Sequence, residues 1–510
     1  MDKDDFSASR WLVPLGLILG TALLLLFPLA KPIWTDEWVS ISWGRSPLPL
    51  ILSGRFGSPD ALPLHPLILA LFGRPLGDSL AVHRIVSALP AAIGLWYVYL
   101  LGRRLSTRAG VLALWLCALS PGLILFDRMS RYHGTTTLLA TMSCYYFVRL
   151  LTEGDRKLVV KYGLATAAML LSYTLSLFVV AAQFALLVLW WRRAPRPLAI
   201  LAAMAAAGAA FLAYFVPNLI RASQTLVNIT VEDPGMGQGI GGFLRRLLLP
   251  VYVFCVGETL SPWKVWLSVP GCLAALGSFA LGGWALRRRP ELVVPLACVV
   301  VVILSALATS GKLGSSQTVG SMAKRVSFAL PLFYITLVAG VYGLKNLRWR
   351  AVLTGILLLV SGVSTYNYFA GREFLNPNYT ANWSEAVETI QKVPAGPDTV
   401  VYSSADPPVK FYIDEARLGL PVIEERGIDS LKKAIDGGAK RIWLFGRDRG
   451  DRTAVADFED ARAFLTKVGA RRTQKHGVYP RTDDEKKWLG KALKREIWDH
   501  YIQFDLWELP

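Results

Sequence analysis

The sequence predicts an α-helical polytopic membrane protein of about eleven transmembrane helices with a small α/β domain at its C-terminal end. Three observations predict it. Of 510 residues, 53% are hydrophobic and only 18% charged, and the apolar residues gather into runs of spanning length instead of following an amphipathic period. Lys and Arg cluster in alternate hinges between those runs. From about Gly371 charged residues increase and apolar runs shrink to strand length.

In chain order, a polar, acidic N-terminus, Met1 to Arg10, precedes an apolar run at 11–30 with no small-residue cleavage site behind it. That run is expected to be a retained first span. Further spans are expected near 80–101, 111–126, 134–151, 158–172, 174–191, 198–217, 264–286, 292–308, 326–343 and 351–369. The 158–191 stretch must fold back at Tyr173-Thr174 almost without a polar loop; a single tilted span there would reverse everything downstream.

Charge tests the count. The hinges near 102–110, 152–161, 190–198, 286–291 and 345–350 hold fifteen Lys and Arg, against Arg128, Arg131, Lys312, Lys324 and Arg325 in the short hinges between them. The positive-inside rule then places the N-terminus in the cytoplasm and the loops 31–79, 127–133, 218–262 and 309–325 outside the cytoplasmic (inner) membrane, with an extracytoplasmic C-terminal domain. Topology also accounts for most of the net charge of +18, so nucleic acid is not an expected partner. The five cysteines (Cys117, Cys144, Cys255, Cys272, Cys298) lie in or beside apolar runs without C-x-x-C pairing, which argues against a disulfide framework or thiolate metal site.

The polar part, 371–510, reads as a second, soluble domain beside the membrane domain, 1–370. Thr399 to Tyr402 and Arg441 to Phe445 are strand-like, while Trp383 to Gln391 and Ser430 to Ile435 are helix-like, which suits a small α/β layer. Sequons at Asn228, Asn378 and Asn382 fall in segments placed outside.

The loop 31–79 is too long and apolar for a mere connector. Its segment Leu64 to Phe72, containing His65-Pro66, is too short to span and fits a helix lying in the interface. Asp36 and Glu37 follow the first span closely, between Trp34 and Trp38 as expected interfacial anchors. A partly desolvated carboxylate there suits proton abstraction; equally, Asp36 suits the cap of a helix beginning at Glu37. The hinge Phe126 to Gly134 offers a second carboxylate, Asp127, with Arg131, Tyr132 and His133 beside it, or else a self-neutralised Asp-Arg loop. Lys324-Arg325, just before the span opening at Val326, suits a lipid phosphate or plain headgroup anchoring. His65, His83 and His133 show no metal-ligand spacing.

The order of these features resembles the C-type (GT-C) polytopic membrane glycosyltransferases, especially the relatives of protein O-mannosyltransferases and of the lipid A aminoarabinose transferase. Asp36-Glu37 after one span is followed by His65-Pro66, by Arg84 to Leu89 leading into a span, by Tyr99 to Leu105, by Ala118-Leu119-Ser120-Pro121, and by Ser130-Arg131-Tyr132; a domain opening with Asn382 to Ala386 comes late. The resemblance implies a GT-C fold and a sugar donor carried on a polyprenyl phosphate, used at the outer face. It implies Asp36 as the catalytic or acceptor-positioning acid, with Glu37 from the same pair. The family's second acid sits nearer its Arg/Tyr pair than Asp127 does, so Asp127 or His133 completes the site, or one acid suffices.

These residues would then divide into the acids Asp36, Glu37 and Asp127, the phosphate-binding cations Lys324, Arg325 and Arg131, and the cavity residues His65, Tyr132 and His133. A divalent cation is not demanded, though the three acids could hold one if they converge. The acceptor, whether glycan, lipid or protein, is left open. Two other classes compete: a transporter or flippase of lipid-linked sugars, which would carry midplane charges or repeated halves, and a non-catalytic membrane scaffold, which would have no use for the acidic pair.

Overall fold

The computed structural model describes the chain except residues 1–3, 57–61, 227–239, 288–291, 310–320, 376–378, 380–382, 394–395, 404–406, 424, 426, 449–451, 481–482, 484–485 and 488–495. The sequons at Asn228, Asn378 and Asn382, and Lys312, lie outside the described residues. The chain forms two compact units. The first contains residues 1–30, 40–226 and 240–375, and the second residues 31–39 and the chain beyond Asn376.

The first unit is a helical bundle. Among the described residues, five helices are long and apolar enough to cross a membrane: Leu80–Arg103, Pro197–Arg221, Val265–Leu286, Ala323–Gly343 and Leu347–Ala370. A sixth arises if the bent pair Thr107–Ala118 and Pro121–Asp127 is one span. The other expected spans appear as the helices Asp4–Leu25, His133–Glu153, Arg156–Ser172, Leu177–Leu189 and Val293–Thr309. The break at 173 is real: Tyr173 is extended between Ser172 and a 3-10 turn, Thr174–Ser176. The flanking helices then diverge, Arg156–Ser172 packing on His133–Glu153 and Pro197–Leu226, and Leu177–Leu189 on Val293–Thr309. Among the described residues, the longest helix of this unit that was not anticipated lies in a stretch read as an outer loop. Ile240–Val256 occupies part of the 218–262 stretch read as a loop, because Gly241, Gly242 and two arginines dilute its apolar signal.

At the centre of the bundle, Leu330–Gly343 is buried along nearly its whole length and packs on Val265–Leu286. Gly282 and Gly340 permit that crossing, because a Cβ at either would overlap the facing backbone, the Thr336 carbonyl or the Ser278 carbonyl. Close approach of backbones through small residues is the usual device where lipid removes the hydrophobic drive between helices.

The second unit is the α/β layer. Its strands are β1 (Thr399–Ser403), β2 (Val422–Ile423), β3 (Arg441–Arg447), β4 (Arg471–Pro480) and β5 (His500–Glu508), in the order β2-β1-β3-β5-β4. β1 pairs in parallel with β2 and β3, and β5 antiparallel with β3 and β4. Both faces of the sheet are covered, which is why β3 reads Ile442-Trp443-Leu444-Phe445 without polar alternation. Trp443 and Phe445 meet Trp383, Val387 and Val409, while Ile442 and Leu444 meet Leu431, Phe458 and Leu465.

Candidate active site

The acidic pair sits at the start of the helix Thr35–Arg45. The expected roles divide differently from the expectation that Asp36 would cap a helix beginning at Glu37. The helix starts two residues earlier, and it is Glu37 that reaches back: its Oε2 accepts from the Trp34 N–H at 3.1 Å, the carboxylate half of a capping box. Glu37 is buried, whereas Asp36, in the middle of the first turn, is half-buried. A carboxylate in a first helical turn is also favoured by the helix dipole.

The flanking tryptophans, expected as interfacial anchors, each make an aromatic contact with the protein. Both pack within the second unit: Trp34 lies edge-on to Tyr379 at 5.6 Å, and Trp38 edge-on to Phe411 at 5.6 Å. The Ile33 N–H adds a hydrogen bond to the Tyr412 hydroxyl at 2.9 Å.

The other candidates belong to the first unit. The hinge after the half-helix Pro121–Asp127 is not a self-neutralised Asp-Arg loop. Asp127, fully buried, accepts from the Thr137 hydroxyl at 3.1 Å. Arg128 instead donates to the carbonyls of Leu23, Leu26 and Phe27, which closes the C-terminal end of the first helix. Arg131 donates to Ser40 Oγ at 3.3 Å and lies 4.9 Å from the centre of the Tyr132 ring. Tyr132 in turn stacks on Tyr173 at 4.2 Å and touches the His133 ring at 4.7 Å.

His65 joins this group. The segment read as an interfacial helix is an α-turn, Leu64–Ile68, continued as a π-turn, Leu69–Gly73, with His65 buried and Leu71 and Phe72 exposed. Burial and the nearby Arg131 guanidinium push His65 down to about 3, so the ring is neutral at physiological pH. The linkage has a definite sign. Above pH 6.5 both folded and unfolded His65 are neutral; as pH falls from there toward 3, only the unfolded state takes up the proton, and stability is lost. His65→Gln is expected to flatten the fall in melting temperature between pH 6.5 and 4, relative to wild type, by the equivalent of a few kcal/mol. An unchanged slope would show that His65 is not the group responsible.

Lys324 is buried and Arg325 half-buried on the short helix Ser321–Val326. A 3-10 turn, Ser327–Ala329, follows before the central helix begins at Leu330. Phe328 of that turn meets the Tyr173 ring edge-on at 5.9 Å. Aromatic packing thus runs from the turn next to Lys324, through Tyr173 and Tyr132, to Arg131. Among the described residues no three His, Cys, Asp or Glu side chains gather closely enough to hold a metal ion.

Sequence reasoning missed Glu258. It lies in the turn after Ile240–Val256, fully buried, with no hydrogen-bond partner among the described residues on either carboxylate oxygen. Burial pushes it up to about 8, against the opposing pull of Lys324. The available signal was a lone acid directly after an apolar run and a glycine, Phe254-Cys255-Val256-Gly257-Glu258.

Residues 59–220 match the family model described as dolichyl-phosphate-mannose-protein mannosyltransferase. That interval holds His65, Asp127, Arg131, Tyr132 and His133, and leaves out the Asp36-Glu37 pair and Lys324-Arg325. No curated protein matches the chain significantly. Among solved structures, ArnT from Cupriavidus metallidurans bound to undecaprenyl phosphate is similar over 98% of each chain, with 13% identity and a TM-score of 0.54. The apo state of the same protein is similar over 92% of this chain and 96% of that one, with 14% identity and a TM-score of 0.52. The chain therefore has the GT-C fold, a polytopic helical membrane part with a small α/β domain.

Proposed function

We propose that this protein is a membrane glycosyltransferase that moves a sugar from a polyprenyl-phosphate carrier to an acceptor at the outer face of the cytoplasmic membrane. The observation that carries the proposal is a coincidence: the interval matching the mannosyltransferase family contains both the His65 helix and the Arg131 hinge, which lie far apart in sequence and together in the first unit. The undecaprenyl phosphate held by the structurally similar ArnT supports the class of carrier. Chemistry supports it too. Outside the cytoplasm no nucleotide sugar is at hand, and a lipid phosphate leaves as a stable anion.

In the proposed reaction Asp36 takes the proton from an acceptor hydroxyl as its oxygen attacks the anomeric carbon. The bond from that carbon to the phosphate oxygen breaks, and its electron pair stays with the departing phosphate. Lys324 and Arg325, with Arg131, supply the positive charge that stabilises the developing anion. Attack opposite the leaving group inverts the anomeric centre. Glu37 is assigned to hold the helix that carries Asp36, and Asp127 with His133 to shape the hinge beside Arg131. No step is routed through a metal.

Purified protein in lipid, given a panel of polyprenyl-phosphate sugars and membrane extract as acceptor, tests the proposal. The expected result is release of free polyprenyl phosphate matched by label in the extract. Movement of the intact donor between leaflets without bond cleavage would identify a flippase instead. Donor that is neither cleaved nor moved would favour the scaffold.

A further inference from the structure

A carboxylate taken out of water without a hydrogen bond destabilises a fold unless something compensates for it. In the Glu258 turn the compensation is not local, although the backbone there is heavily tied down. Gly257 adopts φ +90°, and a Cβ at that position would overlap Pro121. The Glu258 carbonyl accepts from the Leu375 N–H at 2.9 Å. The Thr259 hydroxyl donates to the Ser364 carbonyl at 2.5 Å, and its carbonyl accepts from Asn367 Nδ2 at 2.8 Å. The Tyr252 hydroxyl holds the Leu260 carbonyl at 2.8 Å. Three elements thus fix the main chain on both sides of Glu258, while its side chain is left with two unsatisfied acceptor oxygens. Nearby, the Ile240–Val256 helix packs on Ser321–Val326, which brings the buried Lys324 ammonium within electrostatic reach of the acid.

We propose that Glu258 is the sugar-reading residue of the donor site, taking hydroxyl groups of the sugar whose phosphate is held by Lys324. The inference rests on the polyprenyl-phosphate donor proposed above and adds to it a sugar subsite. The sugar hangs directly from the phosphate, so a polar group beside the phosphate-binding cation lies where sugar hydroxyls must pass. A carboxyl group suits them because it accepts hydrogen bonds when ionised and both donates and accepts when protonated.

The test is direct binding to the full-length protein in nanodiscs, which needs neither acceptor nor turnover. The probes are undecaprenyl phosphate, its glucose and mannose derivatives, and an amino-sugar derivative. Wild type is expected to bind at least one sugar-bearing lipid about 10- to 100-fold more tightly than the bare lipid, the range that hydrogen bonds to a buried acid confer. Glu258→Ala should erase that preference and leave bare-lipid affinity within about twofold. Glu258→Gln, which keeps shape and hydrogen bonding without the buried charge, should fold at least as stably and retain part of the preference. A preference that survives in Glu258→Ala overturns the assignment, as does an equal loss for bare and sugar-bearing lipids or a wild type that does not distinguish them. A folded wild type that binds none of the lipids overturns the donor class itself, a different result from any of these.

Discussion

Replacing Asp36 by Asn is expected to lower sugar transfer by roughly two to four orders of magnitude, the range typical for loss of a general base, while the protein folds and binds donor as before. The expectation of an intact fold comes from the division of labour within the acidic pair. Glu37, not Asp36, accepts the Trp34 N–H and secures the start of the helix Thr35–Arg45. Asn at position 36 keeps the volume of the side chain while removing its charge and basicity and exchanging one acceptor oxygen for a donating amide. The neighbouring position supplies the contrast. Glu37→Gln preserves the capping box and should keep most of the activity and stability, whereas Glu37→Ala should lower stability by about 1 kcal/mol and reduce activity indirectly. The measurement is donor cleavage and acceptor labelling by each purified variant, beside its melting temperature. Equal activity in Asp36→Asn and wild type would move catalysis to another acid. Loss of both activity and melting transition in Asp36→Asn would make Asp36 structural.

Much of the fold was legible because a bilayer simplifies the code. Long apolar runs and basic hinges suffice to place most helices, since backbone groups in lipid must be satisfied within each helix. The strands Thr399 to Ser403 and Arg441 to Arg447 were legible for a similar reason, being short apolar runs between polar turns. β5 was overlooked although Ile502-Gln503-Phe504-Asp505-Leu506 alternates as a strand does; what that alternation could not show is that Gln503 and Asp505 are buried as well. Ile240–Val256 escaped as well, its glycines and arginines lowering the hydropathy that identifies a span.

For the candidate site the limit lay in tertiary structure. The residue types along the chain pointed to the first-loop acids, the Arg131 hinge and Lys324. They did not reveal that Arg128 is committed to the carbonyls of Leu23, Leu26 and Phe27 while its neighbour Arg131 reaches Ser40. Two arginines three residues apart look alike in sequence, and only the packing of the first helix tells them apart. The lone Glu258 directly after the apolar run ending at Val256 marked a place to look, but the sequence did not show that the turn buries both of its oxygens.

The largest effect on stability is expected at the helix crossing in the centre of the bundle. At Gly340 any side chain must occupy space already held by the Ser278 carbonyl and the Gly282 amide, and at Gly282 the space held by the Thr336 carbonyl. These are backbone atoms, so no rotamer change relieves the overlap; the helices Val265–Leu286 and Leu330–Gly343 would have to separate along a crossing where both are buried. Overpacking a rigid core typically costs about 1–3 kcal/mol when side chains can yield, and more is expected when only backbones can. Gly340→Leu and Gly282→Leu are therefore predicted to prevent recovery of a monodisperse protein, with Gly340→Ala recovered at a strongly lowered melting temperature. Gly277 and Gly208 lie on helices of the same unit with open space where a Cβ would stand, and Ala at either should leave the melting temperature unchanged or slightly higher, as helix propensity favours it. Because Lys324 stands one short turn before the central helix, a widened crossing should also weaken binding of undecaprenyl phosphate in the surviving Gly340→Ala protein. If Gly340→Ala melts like Gly277→Ala, the two helices are not in backbone contact, and the positioning of Lys324 does not depend on their crossing.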